Sequence, residues 1–217
     1  MGWQARWWTR WGMLGGITAV FVGYFSVWLP GPAAGLSFLG IELGEWIKFL
    51  GVGQTRDYFY LPPITLGLVL TLLTVVTDNG RWQAWGLRIT AVAVSLLAFP
   101  AIEDLTGAFR AQYMGRVWFI ILVGVVVLAS IWWRKWRKGI AWEVWGLMVV
   151  TGLVGLILPT WLYWQVRPAV SELLRVPVGV GLGVWLNSIG HLLITAVSLY
   201  SLYQQTRSQK QQLPLRP

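Results

Sequence analysis

Apolar residues gather into six long runs, at residues 11–29, 61–77, 85–102, 117–133, 144–166 and 179–203, parted by short stretches that hold most of the charges. A bilayer core of about 30 Å takes about 20 apolar residues as a helix, because backbone groups in lipid must pair within their own segment. Each run meets or nearly meets that length. The pattern predicts an all-α polytopic membrane helix bundle, a single domain over residues 1–203 with six transmembrane helices. The second run is short and opens Leu61-Pro62-Pro63, which the first turn of a helix tolerates. Pro100 and Pro159 lie inside the third and fifth runs and predict a kink or a stop there.

The longest connection joins the first two runs. Within it Leu39, Leu43, Trp46, Ile47 and Leu50 share one helical face, and Glu42, Glu45 and Lys48 share another. That spacing predicts a short amphipathic helix lying in the outer interface, either capping the bundle or docking a partner. Residues 204–217 are polar and rich in Gln, the composition of a disordered cytoplasmic tail.

Charge sets the orientation. With the N-terminus inside, eleven of the 17 Lys and Arg and two of the eight Asp and Glu fall on the inner side, so the whole formal charge of +9 sits there. Basic residues collect on the cytoplasmic face of membrane proteins. Both termini are therefore expected in the cytoplasm, and a bacterial inner membrane is the expected location. The first run is also longer than a signal-peptide core, so it is expected to stay as a helix. The densest cluster is the predicted loop Arg134, Lys135, Trp136, Arg137 and Lys138. It is expected to fix topology and to touch anionic lipid headgroups or an acidic partner. The basic excess needs no nucleic acid to explain it.

Trp-x-x-Trp-Gly occurs three times, at Trp8, Trp82 and Trp142, 74 and 60 residues apart, each time at the inner start of an odd-numbered run. Either three hairpins have been duplicated, or three helices starting on one side need the same interfacial indole anchors. Gly12-x-x-x-Gly16 and Gly179-x-x-x-Gly183 are small-residue spacings that let helices approach closely.

Candidate chemistry is sparse. The chain has no Cys and one His, so thiolate metal sites, bis-histidine haem and the His-Glu-x-x-His zinc motif are excluded, and no metal or cofactor is expected. Asn187, His191, Thr195 and Ser198 recur at offsets 0, 4, 8 and 11 in the sixth run, which places them within an arc of about 80°. Polar groups at that depth face the bundle interior, either as a proton or ion path or as interhelical hydrogen bonds. Glu103 and Asp104, just past Pro100, form an outer carboxylate pair. They are either solvated or a site for a cation, a basic partner or acid–base chemistry. Six helices invite comparison with rhomboid-type serine proteases, but Gly-x-Ser-Gly is missing. The reading that follows is a non-enzymatic membrane subunit or scaffold that binds lipid or a membrane protein partner. A small channel using the sixth-run stripe comes second, and an outer-face enzyme third.

Overall fold

The computed structural model describes residues 3–32, 36–50, 53–77, 80–108 and 110–211, and their side chains except those of 3–6, 53–54, 134, 136–140 and 208–211. The fold is all-α apart from one small hairpin. Helix α1 is Trp3–Phe25; strands β1 (Val27–Leu29) and β2 (Phe38–Leu39) follow, then α2 (Gly40–Trp46) and two 3-10 segments, Ile47–Leu50 and Gly53–Tyr60. Next come α3 (Leu61–Val76), α4 (Arg81–Ser95) with a 3-10 turn at Leu96–Ala98, and the short α5 (Ile102–Thr106). The chain ends in α6 (Met114–Leu174) and α7 (Leu182–Gln211). Four stretches are long and apolar enough to cross a membrane: Thr55–Val76, Met114–Trp133, Ala141–Leu174 and Leu182–Arg207.

Helix α6 is 61 residues long and cannot be a straight rod. Val123 packs against Gly67 of α3, while Gly155 faces Thr65 only half a turn away on the same helix. In a straight helix the 32 residues between Val123 and Gly155 would span about 48 Å. Trp133, Val144 and Trp145 also meet in one cluster with Val75 and Val76. The chain therefore doubles back between Trp133 and Ala141. The predicted turn at Arg134, Lys135, Arg137 and Lys138 falls at this reversal, but its backbone is helical rather than an open loop.

Helix α3 is the hub. Fourteen of its 16 residues are buried, against both arms of α6 and against α4 and α1. Wrapped in protein, it can be shorter than a lipid-facing helix, since its ends meet protein groups rather than hydrocarbon. Around it the segments alternate in direction. On α1, Gly12, Gly16 and Gly23 meet Val197, Gly190 and Gly183 of α7 in antiparallel order. A Cβ on Gly16 would lie 2.8 Å from the Gly190 carbonyl oxygen, so the backbones touch. The Gly12-x-x-x-Gly16 spacing serves packing inside the chain, whereas Gly179 lies ahead of α7 and meets only Pro30, leaving Gly183 and Gly190 as the glycines that α7 brings to the contact.

Several boundaries differ from the sequence reading. The first helix stops at Phe25 instead of residue 29, because Val27–Leu29 ahead of Pro30 pairs as a strand with Phe38–Leu39. The Gly181 N–H binds the Trp28 carbonyl, which ties this hairpin to the start of α7. The second arm of α6 carries Pro159 and Pro168 inside it and runs to Leu174, beyond the expected residue 166. Helix α7 continues to Gln211, so residues 204–211 extend a helix rather than begin a disordered tail; 212–217 lie outside the described residues. In the outer segment Leu43 and Ile47 are buried, whereas Trp46 of the expected apolar face is 53% exposed and stacks on Phe38.

Candidate functional site

Among the described residues, buried polar side chains gather around His191 at mid-depth and around Arg116 at the start of α6. At mid-depth His191 is 0% exposed. Its Nδ1 is 3.0 Å from the Asn187 carbonyl oxygen, and its Nε2 is 2.9 Å from the Thr65 hydroxyl on α3. A carbonyl only accepts, so in the neutral ring Nδ1–H is the donor and Nε2 is an acceptor facing the Thr65 hydroxyl, whose one hydrogen is shared with the Leu61 and Pro62 carbonyls at 2.8 and 3.0 Å. The ring fits because residue 155 is glycine: a Cβ there would collide with Nε2 and with Thr65. Gly152 makes the same room for Thr195.

The rest of the predicted stripe behaves differently from a set of cross-helix bonds. Asn187 reaches across to the Gly155 carbonyl. The Thr195 and Ser198 hydroxyls instead turn back onto their own helix, to the carbonyls of His191 and Ile194, four residues earlier, as Ser and Thr often do inside helices. Thr65, Gly152 and Gly155 were not singled out in the sequence, because a lone Thr and two Gly on other spans carry no local signal.

The cluster around Arg116 is the larger surprise. Arg116, at the start of α6, is 1% exposed, Arg56 3% and Asp57 6%. Arg116 Nη2 donates to Glu45 Oε1 at 2.8 Å, and its Nε lies 3.5 Å from Asp57 Oδ1. The Tyr60 hydroxyl donates to the same Glu45 oxygen at 2.8 Å. The Arg116 guanidinium stacks over the Tyr60 ring at 4.0 Å and Tyr113 at 4.9 Å, and Arg56 stacks on Tyr113 at 4.7 Å. Two cations, two carboxylates and two rings thus form an alternating ladder, with cation–π contacts adding to the ion pairs. Burial works to raise the Glu45 pKa, but the Tyr60 hydroxyl and the Arg116 charge together hold it below the ordinary glutamate value. The ladder fastens the segment before α3 to the top of α6.

Glu103 and Asp104 are not part of this ladder. They line a neighbouring cleft of about 350 Å³ with Lys48, Arg56 and Tyr113, Glu103 exposed and Asp104 half-buried. Of the predicted inner contact residues, Lys135 is exposed, while the side chains of Arg134, Arg137 and Lys138 lie outside the described residues. Among the described residues, no three His, Asp or Glu side chains come together as a metal site.

Compared with known proteins, the chain matches no family model, and neither a curated protein nor a solved structure matches it.

Proposed function

We propose that the chain is a six-span integral membrane protein with both termini on the cytoplasmic side, acting as a non-enzymatic subunit or scaffold that binds lipid headgroups and a membrane protein partner. Two spans are added to the four that length and apolarity identify. Helix α1, with 23 residues, reaches about 35 Å, enough for a bilayer core. Helix α4 with its 3-10 turn is slightly shorter. Both carry large apolar residues on their outward faces, Leu14, Phe21, Val22 and Phe25 on α1 and Ile89, Val92 and Leu96 by α4, as lipid contact requires. On this reading α2 and the 3-10 turn after it are the interfacial element, with Trp46 and Phe49 exposed toward the outer headgroups.

The observation that carries the binding role is the packing of His191. Both its ring nitrogens are bonded, and the space beside it is closed by the facing glycines. The ionisable group at mid-membrane depth is built into a helix contact. The test is proton and cation flux in proteoliposomes. The expected result is a leak equal to that of empty vesicles for wild type and for His191→Gln alike. A wild-type flux abolished in a folded His191→Gln protein would replace the scaffold with the channel reading. One atom favours that second reading: Asn187 Oδ1 is buried with no hydrogen-bond partner among the described residues.

A further inference from the structure

The two 3-10 segments after α2, helix α5 and the residues just ahead of α6 meet around the cleft of about 350 Å³ beside the Arg116 ladder. Its wall carries both signs of charge, Lys48 and Arg56 from the 3-10 segments and Glu103 and Asp104 from α5. We propose that this cleft holds a zwitterionic headgroup, its primary ammonium on Glu103 and Asp104 and its phosphate on Lys48 and Arg56, supplied by an ethanolamine phospholipid. The assignment rests on the reading of lipid as a partner, and it gives that role a place.

The charges share the cleft without joining. Among the described residues, Glu103, Asp104 and Arg56 make no ion pair with one another or with Lys48. Arg56 is 3% exposed, stacks on Tyr113 at 4.7 Å and feels the charge of Asp57. Its charge is therefore compensated, but its hydrogen bonding is not: Nη2 is buried with no partner among the described residues. A guanidinium has five N–H groups to place, and a buried donor left unbonded is costly. An acceptor from outside the chain would relieve it. Lys48 reaches Glu45 at 3.5 Å, which occupies one of its three ammonium hydrogens and leaves the others to the cleft.

The mixture of charges selects the ligand. A lone anion would meet Glu103 and Asp104, and a lone cation would meet Lys48 and Arg56. Among the described residues, the two carboxylates have no third His, Asp or Glu beside them to hold a metal. A molecule with one charge of each sign finds a complement for both. A primary ammonium brings three N–H donors to the carboxylates, whereas a quaternary one brings none and relies on aromatic faces. The volume lies at the small end of the range of about 300–1,000 Å³ for small-molecule sites, the scale of a headgroup rather than a whole lipid. Apolar surface adjoins it: Phe49 on its wall is 76% exposed, and Ile102, next to Glu103 in the chain, is 74% exposed. A soluble zwitterion has no use for that surface, but acyl chains do.

The experiment uses the full chain purified in mild detergent. Native mass spectrometry measures retained phosphatidylethanolamine against phosphatidylcholine, for wild type, Lys48→Gln and the double variant Glu103→Gln with Asp104→Asn, with thermal unfolding as the folding control. Wild type is expected to prefer phosphatidylethanolamine about fivefold, the scale of a partly exposed charge contact. The double variant should bring the two lipids to parity. Lys48→Gln should lower both and keep their ratio, since both carry the phosphate. Lys48 and Glu103 are exposed, so these variants are expected to stay folded where an Arg56 substitution might not. An unchanged preference in the folded double variant would overturn this site while leaving lipid binding intact. Displacement of the lipid by millimolar free phosphoethanolamine would show that the headgroup alone suffices and overturn the lipid source. Equal retention of both lipids by wild type would overturn the ammonium assignment and with it this inference. Retention of neither would also overturn the lipid part of the proposed function.

Discussion

The His191 ring nitrogen and the Thr65 hydroxyl oxygen lie 2.9 Å apart in the centre of the bundle, although 126 residues separate them in the chain. This contact ties α7 to the hub helix. Replacing Thr65 by Val would keep the shape and remove the donor. A buried acceptor without a partner costs about 1–3 kcal/mol. Unfolding of purified Thr65→Val should show a loss in that range, and Thr65→Ser should recover most of it. Equal stability of all three proteins would mean that the contact contributes nothing.

Arg116 and Glu45 make the corresponding join between α2 and the start of α6. Arg116→Met removes the cation that the two carboxylates share, leaving Glu45 the exposed Lys48 at 3.5 Å and Asp57 the charge of Arg56. Breaking a buried pair from one side costs about 3–5 kcal/mol, and these remaining cations and the hydration of Glu45 bring the cost to the lower end of that range. Glu45→Gln should cost less, because Glu45 is partly hydrated and the amide can still accept from Tyr60. Denaturant unfolding of the two variants should give that order, with residues 40–60 of Arg116→Met cut sooner by protease.

The same carboxylate predicts an acid-side dependence. The Glu45 pKa is lowered in the folded protein, so its stabilising contribution is complete above the unfolded-state pKa and is lost as pH falls through the folded value. The unfolding midpoint of wild type should drop on acidification through and below the ordinary glutamate range. In Glu45→Gln that part of the slope should be absent.

Arg175 closes α6 in the left-handed region, at φ 53°. The Val176 N–H binds the Ser171 carbonyl and the Arg175 N–H that of Glu172, a helix stop that favours glycine. A side chain in that conformation costs about 1–2 kcal/mol. Arg175→Gly should therefore raise stability by about 1 kcal/mol, read from thermal unfolding; a decrease would show that the Arg175 side chain holds the turn.

The four helices long and apolar enough to cross a membrane were legible because length and apolarity are written in composition: such runs need no partner to be recognised. The α6 reversal was legible in place but not in form, since four basic residues between two apolar runs mark a turn whether its backbone is helical or not. The β1–β2 hairpin was not legible, because strands of three and two residues depend on α7 lying beneath them. The outer ladder was hidden for a related reason. Glu45 and Arg116 are 71 residues apart, and each one alone looks like a solvated charge at a helix end. Arg56 and Asp57 stand beside a polar stretch that composition assigns to the surface. Only the packing of residues 40–50 and 55–60 against the start of α6 makes them a buried pair of cations with their carboxylates.

The central claim, six passes with the α6 reversal inside, is tested most directly by labelling single cysteines in a chain that has none of its own. Lys135→Cys and Glu103→Cys are treated with a membrane-impermeant maleimide in intact cells and again after permeabilisation. The account predicts that Glu103→Cys reacts in intact cells and that Lys135→Cys reacts only once the membrane is opened. Labelling of Lys135→Cys in intact cells, or of both positions from the same side, would contradict it.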